Sequence, residues 1–528
     1  MKKKSKPLAS ALIGFLLLAT TMLIPRVSAQ DAGQASQRPR PPRRDAAWNS
    51  LPPEVAALKK LSIILGRPTD KSVTANVLSA DALEGYIEYG IKPGKYSHKT
   101  GTITFTAGKP VEVTLDQLKQ DKQVWYRFRY RKPSEKDFTH GAEHSFHTQR
   151  APGSAFTFEI QGDSHPERPQ MFDPALYAQT LSMAASDHPD FYMTIGDDFS
   201  VDAIKARRPD FYSALSHDSN TDAMRMVNAE SIAERYLLQR PFLGIVAQDS
   251  PLFLVNGNHE QASAANLNDS PNNVAVWAQN DRNSLFPMPA PDGFYTGDEQ
   301  PVKYIGPLRD YYAWTWGDAT FIVIDFYWHS PVSVDEPFGG GPRTRDLWQV
   351  TLGDTQYKWL KKTLETSKSK YKFLFAHHIL GTGRGGIEEA GLFEWGGRNR
   401  RGDYQFAEKR PGWAMPIHQL MAKNGVTIFF QGHDHIFAKQ RLDGVIYQSL
   451  PMPADPYYAY QNAASYLTGD KLPSSGRVRV TVSPEKVKVE YIRSWLPKEV
   501  STNRRNGELG YSYEVSGSGD DRRNIPSH

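Results

Sequence analysis

Residues 156–161 read FTFEIQ and run directly into Gly162-Asp163-Ser164-His165. The same event recurs down the chain. Residues 190–195, DFYMTI, end in Gly196-Asp197-Asp198, and residues 251–256, PLFLVN, end in Gly257-Asn258-His259-Glu260. Residues 371–376, YKFLFA, end in His377-His378, and residues 426–431, VTIFFQ, end in Gly432-His433-Asp434-His435. Short apolar runs bounded by glycine read as buried strands. Helical stretches at 175–186, 228–238 and 354–367 alternate with them, so the segment 151–495 reads as α/β. In such folds the carboxyl ends of the strands open on one crevice, where ligands bind. A single Asp or His at a strand end is more often a cap or turn former. Five such motifs in order, each after a strand, point to one site.

The residue types define its chemistry. Carboxylate, imidazole and amide oxygen suit zinc, manganese or iron. The chain has no cysteine, which excludes thiolate zinc sites, iron–sulfur clusters, cysteine nucleophiles and disulfides. Two dications a few ångströms apart need a shared anion, which one aspartate in the middle of the set can supply. Glycine before four of the motifs lets the chain turn sharply and approach the ions.

Working outward, the 528 residues are enough for two or three units. Residues 59–150 (LSIIL, SVTANVL, EGYIEYG, GTITFT, WYRFRYR, HSFHT) read as a small antiparallel β-sandwich. His140, His144 and His147 near its end lack a carboxylate-rich partner set and read as exposed strand residues. RVRVTV and KVKVEYI form a late hairpin, and residues 496–528 read as a polar tail without structure. At the other end, four lysines, an apolar run from Leu8 to Ile24 and Val27-Ser28-Ala29 make residues 1–29 a cleavable Sec-type signal peptide. A Pro- and Arg-rich linker, 30–58, follows. The formal charge is +5, but Lys2, Lys3, Lys4, Lys6 and Arg26 carry all of it within the leader. The remainder has no basic field to recruit nucleic acid or an anionic membrane. The mature chain is expected outside the cytoplasm, secreted or periplasmic, with no membrane span.

D-x-H, G-D, G-N-H-[DE], H and G-H-x-H in that order resemble the calcineurin-like metallophosphoesterase superfamily. The preceding β-sandwich makes the chain similar to its purple acid phosphatase branch, whose N-terminal domain is fibronectin type III-like. The resemblance covers about residues 60–495 and implies a four-layer αββα catalytic domain. It also implies that Asp163, His165, Asp197 and His435 hold one metal ion and Asp197, Asn258, His377 and His433 a second, with Asp197 bridging. His377 is preferred to His378 by its position after the strand. His259 matches the residue that stabilises or protonates the leaving group. The implied reaction is attack on phosphorus by a hydroxide shared between the ions.

Two departures matter. This chain has Asp163-Ser164-His165 where purple acid phosphatases carry D-x-G, and Ser200 where they place a tyrosine. The resemblance therefore does not carry over the purple colour or ferric iron. The expected substrate is a small phosphomonoester; a phosphodiester or nucleotide is the alternative, and a surface-binding protein with a degenerate core is a third reading. Arg384 and the cluster Arg398, Arg400 and Arg401 are further candidates for binding phosphate, with a solvated loop the preferred reading of both. Asp198, Glu260, His378 and Asp434 are expected to support the ligands, and Tyr311 and Tyr312 to lie in the core.

Overall fold

The computed structural model describes residues 51–168, 170–201, 227–260, 262–334, 344–379 and 383–516. The leader and nearly all of the linker lie outside these residues.

Two mixed sheets carry the half of the chain that follows residue 150. In the first the strand order is Leu252–Leu254, Phe191–Thr194, Phe156–Gln161, Gly476–Val482, Lys486–Arg493 and Leu509–Ser516. The first three run parallel and the rest antiparallel. The second sheet is built around four parallel strands, Ala319–Val323, Tyr371–Phe375, Ile428–Gln431 and Val445–Ser449, with antiparallel strands at its margins.

The sheets pack face to face because both present aromatic rows. The Phe158 ring lies 5.2 Å from Phe321, 5.6 Å from Phe373 and 6.2 Å from Phe430 across the interface. On the strands of the second sheet the alternate residues Ile322, Leu374 and Phe429 join a separate core with Leu360, Leu364, Ile417 and Leu420. Successive side chains point to opposite faces, so these strands are apolar on both sides. The last four residues belong to the helices Gly353–Thr366 and Ile417–Lys423. Helices Pro174–Ser186 and Ala229–Ala247 pack with the first sheet. The layers are αββα.

Phe158 sits where the two sheets meet and is fully buried. Phe158→Ala is expected to cost about 3–5 kcal/mol, read as a shift of the urea midpoint, and Phe158→Leu distinctly less. Equal effects of the two would mean that this contact does not hold the sheets together.

The N-terminal strands form a β-sandwich. One sheet contains Leu61–Gly66, Val73–Ser79 and Val111–Leu115; the other is centred on Leu83–Gly90 and Gln123–Arg131. Ile63, Leu65, Val73, Ala75 and Val77 share a core with Ile87, Tyr89, Tyr126 and Phe128. The sandwich is joined to the larger half by apolar packing, with its Ile64 buried in the core of that half, and by polar contacts. Arg240 is fully buried and is met by Ser62 Oγ at 2.9 Å, Asn76 O at 2.7 Å and the Leu285 carbonyl. Burial pushes its pKa down to about 9.

Several expectations change here. Helix Ala229–Ala247 continues past Leu238 through Pro241. Proline inside a helix costs roughly 3 kcal/mol, but every residue from Leu238 to Ala247 is buried and tertiary packing overrides the break. Pro53–Lys60, at the end of the expected linker, is helical. Leu509–Ser516, within the expected polar tail, is the edge strand beside Lys486–Arg493. Its signal was the alternation of Tyr511, Tyr513 and Val515, which pack on the core. His144 is not simply exposed: its Nδ1 meets Asp249 at 3.0 Å, and His147 is buried. Tyr311 and Tyr312 are in the core. Among the described residues no helix is long and apolar enough to cross a membrane.

Candidate metal centre

The five strand ends deliver their polar residues to one place, and the backbone bends sharply to do it. His165, Asp197, His433 and His435 all have left-handed backbone, with φ of 46°, 59°, 67° and 62°. For a residue with a side chain this conformation costs on the order of 1–2 kcal/mol, and such strain collects at functional sites. Glycine supplies the close approach. A Cβ on Gly432 would strike Asp163, and one on Gly257 would strike Asp197.

Two groups of donor atoms result, Asp163, His165 and His435, and Asp197, His377 and His433; Glu167 and His259 form a further set with His165 beside the first. In the first, His435 Nε2 is 3.0 Å from Asp163 Oδ2, and His165 Nε2 is 3.1 Å from His435 Nε2 and 3.4 Å from Asp197 Oδ2. In the second, His377 Nε2 is 3.1 Å from Asp197 Oδ2, 3.1 Å from Asn258 Oδ1 and 3.3 Å from His433 Nδ1. Asp197 Oδ2 thus faces both groups. Ligands roughly 2.0–2.2 Å from an ion stand about 3.0–3.6 Å from one another, so these spacings match the edges of coordination shells. His377 belongs to the group; His378 packs between Phe326 and His433, its ring 5.1 Å and 4.4 Å from theirs, and offers no atom to either donor group.

The imidazoles are oriented from behind. Nδ1 of His165 meets Glu167 Oε1 at 2.8 Å, Nδ1 of His377 meets the Ile195 carbonyl at 2.9 Å, and Nδ1 of His435 meets Gln461 Oε1 at 3.2 Å. A proton held on Nδ1 leaves the Nε2 lone pair directed at the centre, the arrangement that metal-binding histidines require. The donor set therefore fits a pair of ions.

Other motif residues hold the loops. Glu260 accepts hydrogen bonds from the backbone N–H groups of Asp197 (3.0 Å), Asp198 (2.8 Å), Phe199 (3.2 Å) and Gly257 (2.7 Å). Asp163 accepts from the His433 N–H at 2.9 Å. Asp434 accepts from the Tyr466 hydroxyl at 2.6 Å and the Gly385 N–H at 2.8 Å. Asp198 accepts from Gln161 at 3.0 Å, and burial raises its pKa well above the carboxylate range. Burial, with His377 and Arg384 nearby, lowers His378 to about 3.

The carboxylates around the site favour the protonated form of two of its imidazoles. Burial opposes a charged His165, as does Arg168, but Glu167 and Asp163 prevail and raise its pKa to about 9. Burial likewise opposes His377, and Asp197 and Asp163 raise it to about 10. Coordination needs neutral imidazole. Metal uptake at pH 7 is therefore expected to release about two protons, and affinity to climb with pH by up to about a hundredfold per unit until His165 titrates. Calorimetry in two buffers of different ionisation heat measures this; a heat independent of buffer would contradict it.

His259 stands beside the first group. Its ring is 4.9 Å from that of His165, its Nε2 is 4.0 Å from Asp197 Oδ2, and its N–H donates to Asp197 Oδ1 at 2.9 Å. Arg168 Nη2 donates to His259 Nε2 at 2.7 Å, while Arg168 Nε meets Glu167 Oε1 at 3.1 Å. Arg168 and Glu167 were missed by sequence reading. Their only signal was proximity to D-x-H, too common a feature to single them out. Arg384 is at the opposite group, donating to the His433 carbonyl with Asp434 Oδ1 at 3.6 Å. Arg398, Arg400 and Arg401 are exposed, with Arg400 paired to Glu389. A separate trio, Asp298 and Asp310 buried and His329 half-buried, is organised by the His329–Asp310 contact at 3.0 Å.

No protein-family model matches the sequence, and neither does any curated protein. Solved structures do match. PhoD superimposes with a TM-score of 0.59 at 15% identity, over 89% of this chain and 91% of that one. Purple acid phosphatase PPD1 from yellow lupin (Lupinus luteus) seeds gives 0.52 at 17% identity, over 86% of this chain and 74% of that one. The likeness is one of architecture rather than of sequence: the chain shares its fold with PhoD and with the lupin purple acid phosphatase.

Proposed function

We propose that this protein is a metal-dependent phosphohydrolase acting on phosphomonoesters. Asp163, His165, Asp197 and His435 would hold one ion, and Asp197, Asn258, His377 and His433 the other, each zinc, manganese or iron. The observation that carries this reading is the pair of donor groups meeting at Asp197 Oδ2 with His259 alongside. Ions bound there would supply Lewis acidity and an acidified water.

The chain's own residues do the rest. Glu260 fixes the loops of Asp197 and Asn258 through four backbone N–H groups, so the site is preorganised before substrate arrives. His259, held by Asp197 and Arg168, is placed to assist the departing alkoxide, a role worth typically 10²–10⁴-fold. Arg384, its side chain 34% exposed at the rim, is placed to meet a phosphoryl oxygen. We further propose that residues 1–29 direct export, that residues 59–150 are a fibronectin type III-like domain, and that residues 151–495 are the catalytic domain.

The test uses the chain without residues 1–29, stripped of metal and reloaded in turn with zinc, manganese and iron. Initial rates are compared on a chromogenic phosphomonoester and its diester. Metal-dependent turnover with monoester preferred supports the reading. Preference for the diester keeps the site and overturns the substrate class. No turnover of either ester with both ions bound overturns the reading.

A further inference from the structure

Arg168 has no part in the ion-holding set, yet the fold places it with care. The turn after the first motif is closed by the Arg168 N–H donating to the His165 carbonyl at 3.0 Å. Glu167 Oε1 then receives His165 Nδ1 at 2.8 Å and Arg168 Nε at 3.1 Å. One carboxylate thus orients both a metal-type imidazole and the guanidinium. The carboxylate side chain is 6% exposed, while that of Arg168 is 25% exposed. The guanidinium therefore sits in the wall of the site with one part reaching solvent. Its Nη2 lies 2.7 Å from His259 Nε2, beside the group in which His259 faces Asp197. Arg384 occupies the corresponding position at the other group, against His433 and Asp434. Guanidinium groups flank both ends of the centre.

That arrangement bears on which ester is accepted. A guanidinium presents a planar fork of donors that suits phosphoryl oxygens. A monoester offers one more ionised oxygen than a diester, where that position carries a second alkyl or aryl group. A charge-assisted hydrogen bond to this oxygen favours the dianion; the bulkier neutral group gains nothing from it. From this geometry we infer that Arg168 is a specificity-determining residue that binds the additional ionised oxygen of a phosphomonoester and so discriminates against diesters. The inference rests on the phosphohydrolase reading above and names its substrate selector.

The experiment compares the wild-type chain with Arg168→Met and Arg168→Lys. It measures ions per chain, kcat and KM on the chromogenic monoester and diester, and calorimetric affinity for inorganic phosphate. Arg168→Met is expected to lower monoester kcat/KM by roughly 10- to 100-fold and to lower the diester value by a clearly smaller factor. Phosphate affinity should fall about tenfold, with two ions retained. Arg168→Lys, which keeps the charge without the fork, should recover part of the monoester loss. Equal losses on the two esters would overturn the inference, showing that Arg168 acts only through His259. Loss of an ion would assign it to supporting Glu167 and His165 instead, which also overturns it. Should Arg168→Met fail to fold, Arg168→Lys is read by the same ratio. A wild-type protein inactive on every ester would sink the phosphohydrolase reading, while the phosphate affinities would still judge Arg168.

Discussion

If the centre holds two ions as proposed, Asp197→Asn is expected to abolish most of the phosphohydrolase activity and to leave fewer than two ions per chain. The substitution hardly changes size, so the loss would be chemical. Asp197 Oδ2 is 3.1 Å from His377 Nε2 and 3.4 Å from His165 Nε2, which places one carboxylate oxygen between both donor groups. Two dications repel, and only an anion at that position offsets the repulsion. An asparagine amide is neutral and would present either a weaker oxygen or an N–H donor to the ions. Removing one preorganised stabilising group commonly costs 10²–10³-fold. Because Asp197 serves both groups, a loss of about 10³-fold or more in kcat/KM is expected. Elemental analysis of the purified variant should find fewer than two ions per chain. Full occupancy with near-normal turnover would remove Asp197 from the bridging position. Asp163→Asn provides the contrast: Asp163 Oδ2 is 3.0 Å from His435 Nε2 but 4.0 Å from His377 Nε2, so its loss should weaken one site more than the other.

His259→Ala should produce a different failure, in which both ions stay and turnover falls. His259 is in neither of the two groups that meet at Asp197 but falls with His165 and Glu167 in a neighbouring set, its Nε2 4.0 Å from Asp197 Oδ2. The expected loss is about 10²–10⁴-fold in kcat. Its size should depend on the leaving group. A nitrophenolate departs readily without help, whereas an alkoxide needs charge stabilisation or a proton. The variant should therefore be impaired more on an alkyl phosphate than on a nitrophenyl phosphate. Arg168 Nη2 can only donate, so the 2.7 Å contact makes His259 Nε2 its acceptor, and freeing Nε2 for the leaving group requires Arg168 to shift toward the substrate. An equal loss on both esters would point to placement of the phosphoryl group instead of assistance to the leaving group.

The contrast between His377 and His378 shows how sequence and fold share the decision. Both follow the strand Tyr371–Phe375 and both are buried. Sequence position favours the first, and the fold adds a reason that position does not contain: the Ile195 carbonyl engages His377 Nδ1 at 2.9 Å. That carbonyl belongs to a segment 182 residues away. Glu260 is similar. Its place after G-N-H marked it as supportive, yet its four N–H donors come from two separate loops that no local pattern could pair.

Local order explains what the sequence determined on its own. Apolar runs alternating with helices specified the α/β class, and polar residues at five strand ends specified the site, because a strand's identity and its end are written in neighbouring residues. Period-2 alternation specified the β-sandwich and the late hairpin in the same way. Tertiary structure decided whatever depended on distant partners. It carried helix Ala229–Ala247 through Pro241 by burying both sides, and it turned Leu509–Ser516 into an edge strand by offering Lys486–Arg493 as a template. It brought Glu167 and Arg168 from an unremarked turn to His259, 91 residues along the chain from Arg168. Ligand types are a property of residues, but the distances between them, and the arginines that face them, exist only after two sheets have closed on a shared aromatic core.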